Sequence, residues 1–346
     1  MSFDDTPLVS ANLEELKAIL SQEGYPAYRA SQIFDWIHAR GELDPERMTN
    51  LPEALRQTLK QSNALVPVQL GEVHTSADGT RKIEILLSDG LMVETVLIPD
   101  GKKLTQCISS QVGCSVGCDF CRSGKFGYVR NLDAAEIIGQ VLVAKQAYFE
   151  DEQLTNVVFM GIGEPLHNYD NVVRTWRLLC DPSGLNLSSR KVTISTAGIV
   201  HGIEKLGLDL GGKAALAISL HAATEDTRQK LVTGLKASLA DIIDALKRYP
   251  LPKRRRFTIE YVLVKGVNDS DEDARNLSKL LNPIPVKVNL LPLNPHDLSN
   301  MAPPDDARVE AFQRILVNKG ISVFMRKRRG DDINAACGQL LGKPGK

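Results

Sequence analysis

Apolar residues in the amino-terminal segment recur at helical spacing, at Leu13, Leu16 and Leu20 and then at Ile33, Trp36 and Ile37, which predicts a small helical bundle. Near Val66 the period changes. The stretches 66–73, 82–87 and 91–98 read as strands, and Asp78-Gly79 and Asp89-Gly90 supply turns, so a short β meander follows the helices. From Leu104 onward short apolar runs alternate with helical stretches, the pattern of successive βα units around a parallel sheet.

Seven barrel strands are predicted, at 106–109, 156–160, 191–195, 214–220, 257–264, 286–291 and 321–325. Helices are predicted at 134–149, 169–179, 239–248, 271–280 and 305–318. The expected organisation is a helical amino-terminal accessory domain over 1–65, a β-meander extension over 66–99 and an α/β barrel over 100–342. In such sheets reactive groups collect at the carboxyl ends of the strands. The conspicuous residues obey this rule strand after strand, so chemistry converges on one mouth.

Composition narrows the class. Of 346 residues 43% are apolar and 24% charged, which excludes a disordered, collagen-like or coiled-coil chain. Lys+Arg and Asp+Glu are both 42, so no global field draws the protein to nucleic acid, and any such site must be local. No apolar run reaches the length of a membrane span, and Met1-Ser2-Phe3-Asp4-Asp5 lacks the basic and apolar regions of a signal peptide, so a cytoplasmic protein is expected.

The six cysteines are too few and too uneven for a disulfide framework. Cys114, Cys118 and Cys121 form a C-x3-C-x2-C triplet in a glycine-containing loop, compact enough to converge on one cluster or ion. Structural zinc takes four protein ligands, whereas a four-iron cluster held by three leaves one iron open, so the triplet points to a cluster, with zinc as the alternative. Cys107 stands just outside the triplet, Cys180 falls in a helical pattern and reads as packing, and Cys337 lies among small residues near the carboxyl end.

Other features keep two readings. Gly161-Ile162-Gly163-Glu164-Pro165 fails the dinucleotide fingerprint; it is either a tight turn or a place where a ligand approaches the backbone while Glu164 accepts from an amine. His221 is a hydrogen-bonded core histidine or a ligand contact, Glu94 an exposed strand residue or a general base, and Cys337 an inert thiol or a chemical one. Lys253-Arg254-Arg255-Arg256 and Arg326-Lys327-Arg328-Arg329 are solvated faces or phosphate contacts.

The triplet, with Phe120 before its last cysteine, resembles the radical S-adenosylmethionine (SAM) enzymes. Longer strings resemble the RlmN/Cfr family of RNA adenine methyltransferases: Cys107-Ile108-Ser109-Ser110-Gln111-Val112-Gly113-Cys114, Gly161 to Pro165, Ala217-Ile218-Ser219-Leu220-His221, and Arg329 through Gln339. The likeness covers nearly the whole chain and is nearest the carbon-2 branch; the carbon-8, resistance-linked branch is the alternative. It departs at Val232-Thr233-Gly234-Leu235-Lys236-Ala237, where the carbon-2 enzymes commonly carry a Pro-Asn-Lys-Lys-Tyr-like stretch, and at Arg122, usually a small residue. The residues also admit two rivals: a radical SAM protein of other substrate that only generates the radical, and a zinc-stabilised RNA-binding protein.

The resemblance implies an incomplete (β/α)6-type radical SAM barrel with a [4Fe-4S] cluster on Cys114, Cys118 and Cys121. It implies a SAM pocket lined by Gly163, Glu164, Ser195, Ser219, Leu220, His221 and Asn294. Carbon 2 of adenine is electron-poor and will not displace the methyl of SAM. In the family one SAM methylates the cysteine matching Cys337, and a second is cleaved to a deoxyadenosyl radical that takes a hydrogen from the methylated sulfur before the carbon radical adds to the base. The residue matching Glu94 then removes the ring proton, and that matching Cys107 forms a transient disulfide with Cys337. The implied partners are 23S rRNA at the peptidyl transferase centre, tRNA for some members, and an electron donor such as flavodoxin or ferredoxin.

Overall fold

The computed structural model describes residues 3, 7–62, 64–148 and 153–344. Near the amino terminus come α1 (Leu13–Gln22), α2 (Arg29–Phe34) and α3 (Glu53–Ser62). Asn12 opens α1 with a reciprocal cap, accepting from the Glu14 and Glu15 N–H groups while the Glu15 carboxylate accepts from its own N–H. Leu16, Leu20, Ile33 and Ile37 are buried, as their spacing predicts. Trp36 is only half-buried; its ring carries Arg40 at 4.1 Å, and its Nε1–H donates to Asn50 at 2.7 Å.

The meander is β1 (Gln69–Thr75), β2 (Arg81–Leu86) and β3 (Leu91–Asp100), paired antiparallel. It does not stand apart, because β3 also pairs antiparallel with the first barrel strand, β4 (Lys103–Cys107), placing Val96 opposite Cys107. A hairpin of β5 (Gln111–Gly113) and β6 (Tyr128–Asn131) brackets the cysteine loop and the short α4 (Arg122–Phe126). The barrel continues as α5 (Ala134–Tyr148), β7 (Leu154–Phe159), α6 (Tyr169–Cys180), β8 (Val192–Thr196), α7 (Val200–Leu210) and β9 (Ala215–Ser219). It is completed by α8 (Glu225–Leu231), α9 (Leu239–Arg248), β10 (Phe257–Leu263), α10 (Asp271–Leu281), β11 (Val286–Pro292), α11 (Asp306–Asn318) and β12 (Ser322–Met325).

Strands β4 and β7 to β12 are parallel and neighbours in chain order, so six βα units end in a seventh strand. All seven predicted strands are present. Among the described residues no pairing joins β12 to β4, and the barrel is open. The carboxyl-terminal segment crosses the gap instead: Arg329 reaches Asp78 and Asp100 at 3.9 and 3.5 Å, and Gly330 N–H donates to Asp78 at 3.2 Å. The segment ends as β13 (Lys343–Pro344), antiparallel to β3.

Helices α7 and α8 and the β5–β6 hairpin are not among the predicted elements. In α7 two glycines weaken the helical signal, and packing requires both: a Cβ at Gly202 would lie 2.8 Å from Leu166, and one at Gly207 2.8 Å from Pro250. The hairpin strands and α8 are too short for periodicity to register.

Candidate active site

The cysteine loop leaves the hairpin at Gly113, whose φ of +74° and close approach to the Gly127 carbonyl admit no side chain. Three bonds pin the loop to the last residue of α8 and the chain that follows it: Asp119 N–H to Leu231 O at 2.9 Å, Thr233 Oγ to Gly117 O at 2.7 Å, and Gly234 N–H to Val116 O at 2.8 Å. The atypical 232–237 stretch is thus the outer support of the loop. Cys114, Cys118 and Cys121 line one cavity at the carboxyl ends of the strands.

This donor set fits an iron–sulfur cluster better than a single ion. Thiolates on one tetrahedral zinc lie about 3.8 Å apart, from a Zn–S distance of about 2.3 Å. Among the described residues the only three-donor group whose ligand atoms all lie within 4.8 Å is Glu72, His74 and Glu84, so the three sulfurs are spread more widely, as ligands of separate irons are. Burial pushes the Cys114 thiol up to about 12 and raises Cys118 and Cys121 as well. To hold a cluster these three residues would have to give up their thiol protons and bind as thiolates.

The residues expected around SAM surround the same cavity, with one exception. Gly163, Glu164, Ser195, Ser219, His221 and Asn294 line it. Leu220 is fully buried and absent from the wall; its N–H donates to Glu260 O at 3.0 Å and its carbonyl accepts from Arg228 at 2.5 Å. The glycines serve a tight turn. A Cβ at Gly161 would sit 2.7 Å from Ile108 O, and one at Gly163, where φ is +104°, 2.5 Å from Gln111 Cβ.

Glu164 is buried, which raises its carboxyl above the usual range, although Ala197 N–H at 2.7 Å and Leu166 N–H at 3.0 Å favour the charged form. His221 has a left-handed backbone, φ +59°, and its ring meets Phe120 edge-on at 4.8 Å. Its Nδ1 accepts from Val262 N–H at 3.1 Å, so the ring proton belongs on Nε2. Burial, assisted by Arg228, lowers its pKa to about 3. Hence His221 is both a hydrogen-bonded core histidine and a wall of the cavity. Asn294 donates to Cys337 O at 3.0 Å, while its Oδ1 is buried and unpaired, a spare acceptor on a side chain that lines the cavity.

A second cavity opens beside the first and is lined by Cys107, Arg326, Lys327, Arg328 and Arg329 with Val96, Ile98 and Met160. Cys337 lines both. Its residue is exposed, yet surrounding protein pushes its thiol up; Arg326 opposes this, and Glu260 and Cys121 add to it. Cys107 is buried and pushed up to about 12 by burial and by Cys337. Glu94 lies on neither wall among the described residues; it is buried in the sheet behind the carboxyl-terminal segment.

The two basic clusters separate. Lys253 to Arg256 precede β10, at the amino-terminal end of the parallel strands and opposite the mouth, where Arg255 binds Lys213 O and Ser189 and Arg256 binds Ser322. The Arg326 to Arg329 cluster borders the second cavity. Two further site residues escape the sequence reading. Arg228 is buried and ties the ends of β8 and β9 through Ala197 O and Leu220 O. Glu260 lines the first cavity, held by Asn289 at 2.8 Å; an acid inside an apolar strand was its signal. Cys180 is half-buried and its thiol is pushed up to about 12 by burial, as for a packing thiol.

Comparison with known proteins agrees with this arrangement. A model of the radical SAM superfamily matches residues 108–277, and a model described as the ribosomal RNA large subunit methyltransferase N-terminal domain matches 6–65. A dual-specificity RNA methyltransferase RlmN of Sorangium cellulosum is 47% identical, covering 97% of this chain and 96% of its own. The chain belongs to the RlmN family. An RlmN of Marinobacter nauticus is 44% identical, with 95% and 90% covered. The crystal structure of a radical SAM methyltransferase from Sphaerobacter thermophilus superposes with a TM-score of 0.93 at 40% identity, covering 97% of this chain and 99% of that one. As members of this family do, the protein uses a [4Fe-4S] cluster and SAM and acts as an RNA methyltransferase.

Proposed function

We propose that this enzyme methylates carbon 2 of an adenosine in 23S rRNA, at the peptidyl transferase centre, and an adenosine of tRNA as well. The observation that carries the reading is the position of Cys337, a thiol-bearing residue on the walls of both cavities. It faces the cluster and SAM residues on one side and a basic cavity containing Cys107 on the other. A methyl accepted in the first cavity is thereby presented to a base in the second.

The cofactors supply the reductive cleavage of SAM that makes one-electron chemistry available. The remaining work belongs to the chain. Cys114, Cys118 and Cys121 hold the cluster, Asn294 orients SAM and the Cys337 carbonyl, and the Arg326 to Arg329 cluster meets RNA phosphate. Cys337 Sγ gives up its proton on accepting the methyl. Glu94 takes the ring proton, and the one electron released with it would return to the bound cluster. Cys107 Sγ then bonds to Cys337 Sγ as the bond from Cys337 Sγ to the methylene carbon breaks, and the Cys107 proton ends on that carbon as the methylated base leaves. The base must come from an unpaired or opened stretch, because a base stacked in a duplex cannot reach a sulfur lodged between two cavities.

The helices of 1–65 help hold the RNA, as their match to the ribosomal RNA methyltransferase domain supports. A flavodoxin- or ferredoxin-type carrier supplies electrons, and the setting is the cytoplasm. Among the described residues no helix is long and apolar enough to cross a membrane. The test is nucleoside analysis of an unmodified 23S rRNA transcript after incubation with holoenzyme, SAM and reductant. 2-Methyladenosine is expected; 8-methyladenosine alone, or no methylated adenosine, overturns the assignment.

A further inference from the structure

Glu94 sits in β3 opposite Glu84, and its backbone carbonyl accepts from Ser109 Oγ at 2.7 Å. Both carboxylate oxygens are engaged. Oε1 meets Lys82 Nζ at 3.1 Å, a diagonal neighbour on β2, and the two side chains are only 8% and 10% exposed. Oε2 accepts from the backbone N–H of Leu341 at 2.8 Å.

Leu341 belongs to the strap that carries Cys337. The strap is anchored on one side by Arg122 N–H to Gly338 O at 2.7 Å and Ser123 Oγ to Leu340 O at 2.6 Å, and at its far end by the pairing of Lys343 with Met92. Leu340 lines the second cavity, so the strap stands between that cavity and Glu94. In this arrangement each Glu94 oxygen already serves one donor, and the carboxylate is held away from the second cavity. To reach a base there it must part from the Leu341 N–H, and the strap that supplies this N–H also bears the sulfur joined to the RNA.

A nearly buried carboxylate that loses one of two partners needs the other to keep its place, because an unpaired buried charge turns toward any available donor or water. Lys82 is buried on β2, and its ion pair with Glu94 runs between neighbouring strands of the sheet. We propose that Lys82 is the positioning residue of this reaction, gripping Glu94 through Oε1 while the strap surrenders Oε2 to the covalent RNA intermediate. The proposal rests on the reading of Glu94 as the group that takes the ring proton.

The experiment uses anaerobic holoenzyme with an unmodified 23S rRNA transcript and compares Lys82→Met, Lys82→Arg and Glu94→Gln. It follows methyl-Cys337 by peptide mass, 5′-deoxyadenosine, protein–RNA adduct on denaturing gels, and released methylated RNA. For Lys82→Met, methyl-Cys337 and deoxyadenosine form as in the parent, adduct accumulates, and release slows about tenfold or more; Lys82→Arg restores release to within about threefold. Release at the parental rate from Lys82→Met, while Glu94→Gln accumulates adduct, overturns the role of Lys82 and leaves that of Glu94 intact. Normal release from both variants shows that the reading of Glu94 itself has failed. Loss of Cys337 methylation in Lys82→Met, or absence of rescue by Lys82→Arg, marks Lys82 as a support of the sheet and also overturns the proposal.

Discussion

Gly234→Ala tests whether the atypical 232–237 stretch sets the geometry of the cluster loop. A Cβ there would lie 2.5 Å from Val116 O and 2.7 Å from Ser115 O, both backbone atoms, where ordinary contacts begin at 3.4 Å. The two chains must separate by roughly 0.9 Å, which stretches the 2.8 Å bond from Gly234 N–H to Val116 O beyond bonding range. Overpacking of this kind costs about 1–3 kcal/mol and the lost bond about 1 kcal/mol more, so about 2–4 kcal/mol is expected. Without a cluster the loop relieves this strain by moving outward; with one, the three thiolates fix it. The penalty therefore falls on cluster retention, weakened by about 30-fold or more for the lower figure. Iron and sulfide content after anaerobic gel filtration, and cluster absorbance during titration with a chelator, read this directly. Lys236→Ala, exposed in the same stretch, is the control and should match the parent. Parental iron content and chelator resistance in Gly234→Ala would refute the claim that this stretch braces the loop.

Three further outcomes are expected. His38 is buried against Phe34 with neither ring nitrogen partnered, and burial lowers its pKa to about 3 from 6.5; the unfolded chain therefore binds the extra proton, and stability falls as pH drops from 6.5 toward 3. Between pH 7 and 5 this amounts to about 2 kcal/mol, so His38→Leu should lose about that much less than the parent in denaturant melts at the two pH values, and equal losses would count against it. Cys107→Ala should accumulate protein cross-linked to RNA, visible on denaturing gels; normal turnover without an adduct would remove the resolving role. Asn294→Ala leaves the Cys337 carbonyl without its 3.0 Å donor and SAM without one acceptor, so SAM affinity should fall about fivefold by equilibrium dialysis, from about 1 kcal/mol per bond.

The pattern along the chain determined the element types because burial of one face imposes a period. The leucines of α1, the turns of the meander and the barrel strands all follow from it, and the cysteine triplet from ligand number alone. Periodicity could not report α7, since Gly202 and Gly207 are required by Leu166 and Pro250, neighbours distant in sequence. Chain order, by contrast, did show which end of a strand each charge cluster meets, since one precedes its strand and the other follows it. Lys253 to Arg256 and Arg326 to Arg329 look alike as strings, yet parallel strand direction sends one to the floor and the other to the mouth.

Tertiary structure alone decided three matters at the site. It placed Cys337 on two cavities at once, because the segment bearing it crosses the open side of the barrel where no strand pairs. It brought Arg228 to the ends of β8 and β9 and Glu260 to the wall of the first cavity, and it set Glu94 between Lys82 and Leu341, contacts that span up to 247 positions along the chain. Local sequence encodes which residues can do chemistry. Which of them meet is fixed by the closure of the sheet, a property of long-range packing that no short window contains.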